Sequence, residues 1–120
     1  MQIPAFLLRK LYIKGSLKNV GDGFDFKIKN TLSPGTAIGM SPIRVDNVEY
    51  SLADTLIASE AMKIKASDIT ESKGFPIKVG VEITIHCKGN PLAKAEHKID
   101  IAIKTKEAGN LAFDVKDTPI

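Results

Sequence analysis

Hydrophobic and polar residues alternate along this chain in several separate runs. The clearest runs are 24–28, 81–87 and 99–103, and each carries an apolar side chain at every second position. Successive side chains of a β-strand point to opposite faces of the sheet, so this pattern is typical of strands with one packed face and one solvated face. The pattern therefore predicts an all-β fold.

The first predicted hairpin joins segments 10–19 and 24–32 across a short turn. Its register places Lys18 opposite Asp25, and the apolar side chains of the two segments then fall mostly on one side of the sheet. This agreement between register and hydrophobic pattern supports the pairing.

Two further hairpins follow from turn residues. The Asp46-Asn47 pair tolerates left-handed backbone and places Arg44 opposite Glu49, which have opposite charges. In the last hairpin, a loop over 107–109 would place Ile101 opposite Val115 and Ile103 opposite Phe113. Both hairpins are typical of antiparallel sheets.

The whole chain, residues 1–120, is predicted to be a single β-sandwich domain. Its eight or nine short strands at regular spacing favour an immunoglobulin-like antiparallel β-sandwich, with a small β-barrel as the alternative. A length of 120 residues suits one domain.

Composition adds limits on function and location. The net charge of +3 is mildly basic, and one cysteine excludes an internal disulfide. No segment approaches the roughly 18 apolar residues needed to span a bilayer, and segment 3–8 lacks the features of a signal peptide. We therefore expect a cytoplasmic protein that does not associate with a membrane.

Segment 92–101 contains a leucine, a small residue and an aromatic ring, His97, before an alternating apolar run. This order resembles the start of the penultimate strand in immunoglobulin-like domains. In those domains a ring at this corner hydrogen-bonds to the backbone a few residues upstream. The resemblance implies that His97 makes this contact here.

Segments 15–19 and 29–36, with the sequences GSLKN and KNTLSPGT, carry a second resemblance. They are similar to small archaeal-type all-β proteins of uncharacterised role, which are sometimes labelled hydroxymethylglutaryl-CoA reductase. The sequence contains no G-x-G-x-x-G turn of the kind that binds a dinucleotide. We expect no cofactor.

The polar face of the first predicted hairpin is rich in lysine. An aromatic ring among lysines on an exposed sheet is one way to bind single-stranded nucleic acid. A solubilising face, lysines that protect a sheet edge, and a subunit contact are the alternatives. The residues of this possible polyanion site are Lys10, Tyr12, Lys14, Lys18, Lys27 and Lys29.

The apolar N-terminal segment is the second candidate surface. It either packs across its own sandwich or inserts into a neighbouring subunit, because an apolar arm before a sheet is a simple route to a symmetric oligomer. The predicted subunit contact comprises Ile3, Phe6, Leu7 and Leu8.

The side chains of His86, His97 and Cys87 offer candidate chemistry, but no pattern assembles them into a site. His86 lies on the polar side of its strand and is interpreted as a surface residue, with a metal ligand or a catalytic base as alternatives. Cys87 lies on the apolar side and is interpreted as a buried small hydrophobe. Because neighbours on a strand face opposite ways, the two cannot form a nucleophile–base pair.

The sequence thus favours a non-catalytic binding or structural module that forms a homo-oligomer. Binding of RNA, single-stranded DNA or another polyanion through the lysines is the alternative. A small-ligand carrier or an enzyme is the third hypothesis, and it would require a deep pocket lined by His86 or His97 together with carboxylates.

Overall fold

The computed structural model describes residues 3–60 and 62–120 of the chain. The chain begins with a short helix, α1 (Ala5–Leu8), which continues into the 3-10 helix Arg9–Leu11. Two further 3-10 helices span Leu52–Asp54 and Ala66–Asp68. The strands that the structure describes are β1 (Lys18–Val20), β2 (Gly23–Lys29), β3 (Gly35–Met40), β4 (Ile43–Val45), β5 (Val48–Tyr50), β6 (Thr55–Ala58), β7 (Lys63–Lys65), β8 (Phe75–Ile77), β9 (Glu82–Lys88), β10 (His97–Thr105) and β11 (Gly109–Asp117).

These strands form two antiparallel sheets. The first sheet has the spatial order β1-β2-β9-β6-β7. The second has the order β5-β4-β10-β3-β8, and β11 pairs with the other side of β10. In the described part of the chain the sheets do not close on each other, so the all-β sandwich is confirmed and the barrel alternative is wrong.

Alternation selects the side chains that fill the space between the sheets. The apolar positions of β2 and β9 are buried, as the sequence pattern predicts, and so are Ile99 and Ile101 of β10, while Ile103 is partly buried. An edge-to-face contact between Phe24 and Tyr50 joins the two layers at 5.0 Å. The fully buried members of this core are Phe24, Phe26, Phe75, Leu8, Leu17, Ile43, Ile83, Ile85, Ile99, Ile101 and Cys87.

The Asp46-Asn47 turn and the register of β1 with β2 are confirmed. Asp46 and Asn47 adopt positive φ angles of 51° and 68°. Arg44 lies opposite Glu49, and the two side chains form an ion pair at 3.4 Å. Lys18 lies opposite Asp25 as expected.

Two details of the predicted strands are wrong. The described residues form eleven strands rather than eight or nine, because several short segments pair separately. In the last hairpin Ile101 lies opposite Phe113 and Ile103 opposite Leu111. The reason is that the loop starts one residue earlier than predicted, directly after Thr105. The register therefore shifts by two residues, and each side chain stays on its predicted face of the sheet.

The predicted strand over 10–19 is also wrong in its first half. The register that pairs Lys18 with Asp25 would place Tyr12 opposite Thr31, but Tyr12 bridges to Ile28 instead. Gly15 has a φ of +84° and turns the chain just before β1. This left-handed conformation favours glycine. The register of the preceding residues shifts by three, so Tyr12 and Ile13 still contact β2 but not in the predicted pairs.

Candidate functional site

The predicted lysine surface is only partly assembled. Lys18, Lys27 and Lys29 lie on the solvent face of the first sheet, on β1 and β2. The Nζ atom of Lys27 lies 3.4 Å from Glu82, and Lys18 pairs across strands with Asp25. Neighbouring carboxylates therefore offset part of the positive charge on this face.

The other three residues of the predicted polyanion site lie elsewhere. Lys10 belongs to the 3-10 helix, and Lys14 donates from Nζ to the carbonyl oxygen of Lys116 at 2.9 Å. Tyr12 is only 7% exposed, so it offers no ring for base stacking. The expectation that Tyr12 belongs to an exposed, lysine-rich face is wrong, because the change of register before β1 places the Tyr12 ring in the core.

Tyr12 instead forms a buried polar contact with the C-terminal end of β11. Its hydroxyl donates to Asp117 Oδ2 at 2.7 Å, and the backbone N–H of Gly15 donates to the same oxygen at 2.9 Å. Burial and the bond to Asp117 raise the pKa of Tyr12. Burial alone would raise the pKa of Asp117, but the bonds from Tyr12, Thr118 and Gly15 lower it. Asp117 is therefore a buried carboxylate that binds the N-terminal segment through Tyr12 and Gly15. No sequence pattern indicates this role.

His86 lies between two carboxylates on the outer face of the first sheet. Its Nδ1 atom is 2.5 Å from Asp25 Oδ1, and its Nε2 atom is 3.0 Å from Asp22 Oδ1. Asp25 is its partner across the β2–β9 pair, and Asp22 lies in the turn before β2. Among residues 3–60 and 62–120, no three histidine, cysteine or acidic side chains are arranged to hold a metal ion. The ring contacts join the hairpin turn to β9.

His97 makes the corner contact that the resemblance to immunoglobulin-like domains implies. Its Nε2 atom lies 2.7 Å from the carbonyl oxygen of Ala93, four residues upstream, and its Nδ1 atom lies 2.6 Å from Asp46 Oδ2. Asp46 also accepts the backbone N–H of Lys98 at 2.9 Å. The bonds to Asp46 and Ala93 raise the pKa of His97, and those from Lys98 and His97 lower the pKa of Asp46. This contact fixes the β4–β5 turn to the loop before β10.

Cys87 is a buried hydrophobe, as predicted. It is 0% exposed, and burial raises the pKa of its thiol to about 12. It faces the core while His86 faces outward, so the two side chains are on opposite sides of β9.

The N-terminal segment packs on its own domain. Leu8 is fully buried, and Ile3 packs against the core. Arg9 donates from Nε to the carbonyl oxygen of Asp114 at 2.9 Å and pairs with its carboxylate at 3.0 Å. These contacts cover the edge of β11. Of the four residues of the predicted subunit contact, Leu8 is buried in its own domain and therefore cannot contact another subunit, whereas Phe6 is 62% exposed.

A partly open pocket of about 80 Å³ lies between the sheets beside the N-terminal segment. Side chains from both sheets form its wall, and neither His86 nor His97 belongs to it. Its apolar lining residues are Ile3, Leu11, Ile28, Leu32, Pro34, Ile77, Ile83, Ile103, Ala108 and Leu111.

Comparison with known proteins assigns the family. Residues 7–119 match the family model described as Hydroxymethylglutaryl-CoA reductase, N-terminal domain. The chain belongs to this family. No curated protein is similar enough to the chain to count as a relative.

The matched part of this hydroxymethylglutaryl-CoA reductase N-terminal domain begins inside α1 and contains every strand that the structure describes. The Leu8 and Arg9 contacts lie within it, whereas Ile3 and Phe6 precede it. No helix in the described residues is long and apolar enough to cross a bilayer. The match therefore covers the sandwich, both histidine contacts and most of the pocket wall.

Proposed function

We propose that this domain is a non-catalytic module that self-associates through the exposed side of α1. The observation that carries the proposal is Phe6, a large aromatic side chain that is 62% exposed on an anchored helix. Aromatic residues on fixed surfaces are frequent anchors of protein interfaces, since their burial releases much water at little cost in side-chain entropy.

The anchoring of α1 supports this role. Leu8 is buried in the core two residues after Phe6, and the Arg9 guanidinium contacts Asp114 through two bonds. Phe6 is thus presented on a segment that is already ordered, so an interface there loses little conformational entropy on binding.

The polar groups support the non-catalytic part of the proposal. His86 and His97 each place both ring nitrogens against acceptors, Asp117 accepts the Tyr12 hydroxyl, and Cys87 is buried as a thiol. These groups connect strands and turns. The family description, which names the N-terminal domain of an enzyme, supports an accessory role. A reducing cytoplasm, in which a lone buried cysteine stays a thiol, is the compartment that we propose.

Sedimentation velocity over a range of protein concentrations tests the self-association. We expect a concentration-dependent dimer that Phe6→Ser weakens by about 30-fold, since truncating a central aromatic residue costs about 2 kcal/mol. Val48→Ser is the matched control, because Val48 is 58% exposed in the β4–β5 hairpin, away from α1. A wild-type chain that stays monomeric at about 1 mM, or equal effects of the two substitutions, would contradict the proposal.

A second candidate function is polyanion binding on the outer face of the first sheet. Lys63 and Lys65 of β7 are exposed on either side of the buried Ile64, so they add to Lys18 and Lys29 on this face. If about three lysines meet phosphates of a single-stranded nucleic acid, the logarithmic salt slope is about −2.

Binding of a fluorescent oligonucleotide at several salt concentrations tests this function. The double substitution Lys18→Ala and Lys29→Ala should weaken binding and flatten the slope. The same change at the exposed residues Lys94 and Lys106, which lie outside this sheet, should have little effect. Binding that is absent at low salt, or equal in the two double variants, rules the function out.

A further inference from the structure

β11 lies at an edge of the second sheet, because β10 is the only strand that the structure describes as its partner. The carbonyl oxygens of Asp114 and Lys116 accept bonds from basic side chains of the N-terminal segment, both at 2.9 Å, and therefore point away from β10. Backbone groups of an antiparallel strand point to alternate sides at successive residues. Asn110 and Ala112 consequently also direct their N–H and C=O groups away from β10.

The basic side chains cover only the second half of this edge. Within the described part of the chain, the outward N–H and C=O groups of Asn110 and Ala112 form no hydrogen bond. Residues 109–113 also contain no charged side chain and no proline. Sheet edges commonly carry such residues, because they prevent pairing with another chain. The first half of β11 is therefore open to the addition of a strand.

The other edge strands of the two sheets are better protected. β8 contains Pro76, which has no N–H group to donate, and β7 carries the exposed lysines Lys63 and Lys65. β1 and β5 have only three residues each, and very short edge strands pair poorly with other chains. β11 has nine residues, so it is the edge at which pairing with another chain is most favourable.

The open groups of β11 are complementary to those of a second copy. Around a two-fold axis at Leu111, Asn110 lies opposite Ala112 of the partner subunit, and Ala112 lies opposite the partner's Asn110. Each of these pairs exchanges two hydrogen bonds, so every open N–H and C=O group in both copies finds a partner. An axis at Ala112 would instead require the Asp114 carbonyl, where the Arg9 side chain already lies. The pattern of open groups therefore selects the axis at Leu111.

The side chains are compatible with this pairing. Leu111 would lie opposite Leu111 of the partner subunit, in a non-hydrogen-bonded pair with Cα atoms about 4.5 Å apart. Since Leu111 is only partly buried in its own domain, the contact covers apolar surface. Asn110 and Ala112 lie on the other face of the sheet and are uncharged, so no like charges lie opposite each other.

The exposed side of α1 is continuous with the open edge. α1 packs against β11, where Arg9 contacts Asp114 through two bonds, so Phe6 lies beside this strand. Residues 109–113 alone form a smaller contact than a standard interface, which has about 20–30 residues a side. The apolar surface at Phe6 enlarges this contact, and the resulting dimer should be weak.

We propose that two copies of this chain pair their β11 strands antiparallel around Leu111, which joins the two second sheets into one continuous sheet. The inference rests on the proposed self-association through α1 and specifies its symmetry and its register. A dissociation constant of about 0.1 mM is expected for an interface of this size.

Disulfide cross-linking of Leu111→Cys tests the position of the axis. A cysteine on the axis faces its own copy at a Cα distance that suits a disulfide, so mild oxidation should yield a linked dimer. Asn110→Cys is the matched control, because residue 110 is more exposed but would lie about 9 Å from its own copy, too far for a disulfide. We expect about tenfold faster linkage of Leu111→Cys. Equal or faster linkage of Asn110→Cys overturns the pairing.

Amide hydrogen exchange of the wild-type chain, followed by NMR, needs no variant. With a dissociation constant of about 0.1 mM, about 80% of the chains are dimeric at about 1 mM and about 40% at about 0.05 mM. Exchange at Asn110 and Ala112 should therefore be about threefold slower at the higher concentration. The Glu49 amide, on the edge strand β5 of the same sheet, is the control and should not change. Exchange at Asn110 and Ala112 that does not depend on concentration contradicts the pairing.

The outcomes separate this inference from the proposed function. A wild-type chain that sediments as a monomer at about 1 mM contradicts both. A dimer that Phe6→Ser weakens, but in which Leu111→Cys links no faster than Asn110→Cys and the two amides are not protected, supports self-association through α1 and overturns only the pairing of β11.

Discussion

The His97–Asp46 contact predicts a specific dependence of stability on pH. Both ring nitrogens of His97 lie within 2.7 Å of acceptors, and its side chain is only 11% exposed. The bonds to Asp46 and Ala93 raise the pKa of His97 above its ordinary value of 6.5. The folded state therefore holds the proton more tightly than the unfolded state does.

The sign of the effect follows from linkage. A group whose pKa is raised on folding contributes its full stability below the unfolded pKa and loses it as the pH rises through the folded pKa. His97 should thus stabilise the domain below about pH 6.5 and progressively less above it. Asp46, whose pKa is lowered, has the opposite dependence and loses its contribution as the pH falls below 3.8.

The magnitude follows from the bonds that are lost. His97→Phe keeps a ring at the corner but removes both hydrogen bonds. A bond to a charged group contributes about 1.5–3 kcal/mol, and the half-exposed Asp46 places this pair at the lower end. We expect a loss of about 2 kcal/mol at about pH 5.5 and a smaller loss at about pH 9.

Urea unfolding monitored by circular dichroism measures this effect. The wild-type chain should lose more stability between the two pH values than His97→Phe does. Asp46→Asn is the matched control, because asparagine also tolerates the φ of 51° and still accepts the Lys98 N–H, yet carries no charge. It should remove most of the pH dependence. Parallel pH profiles for the wild type and His97→Phe would refute the assignment.

Three further substitutions or reactions test the packing. Gly23→Ala should lower the unfolding free energy by about 3 kcal/mol, because the added Cβ would lie 1.9 Å from the carbonyl oxygen of Cys87 on the adjacent strand. Urea unfolding measures the loss. Gly21→Ala is the control, because a Cβ added there has no other atom within 4 Å. Tyr12→Phe should cost about 2 kcal/mol, since the buried Asp117 carboxylate loses a donor, and an unchanged urea midpoint would contradict this. The Cys87 thiol should react with a disulfide reagent only at the rate of unfolding, and rapid labelling of the native chain would show that it is accessible.

Local rules predicted much of the fold because they act between near neighbours. Alternation identified the buried positions of β2, β9 and β10, and turn residues located the Asp46-Asn47 hairpin with its Arg44–Glu49 pair. The corner contact of His97 was implied by the resemblance to immunoglobulin-like domains and not by a local rule, and it joins residues four apart. In each case the interacting residues are close in sequence or related by one turn.

The candidate site was less predictable because its contacts join distant parts of the chain. Tyr12 and Asp117 are separated by 105 positions, and nothing in the sequence near either residue indicates the other. The prediction of the lysine surface was wrong for a related reason. The pattern extended the strand back to residue 10, but the left-handed conformation of Gly15 interrupts it, and residues 9–11 form a 3-10 helix.

The sequence by itself determined which side chains face the core, because the period of two residues is set by the covalent geometry of an extended chain. Tertiary structure alone decided that α1 covers the edge of β11, that His86 lies between Asp22 and Asp25, and that an apolar pocket opens beside Ile103. The His86 contacts depend on the pairing of β2 with β9, and the other two features depend on how distant segments and the two sheets pack together.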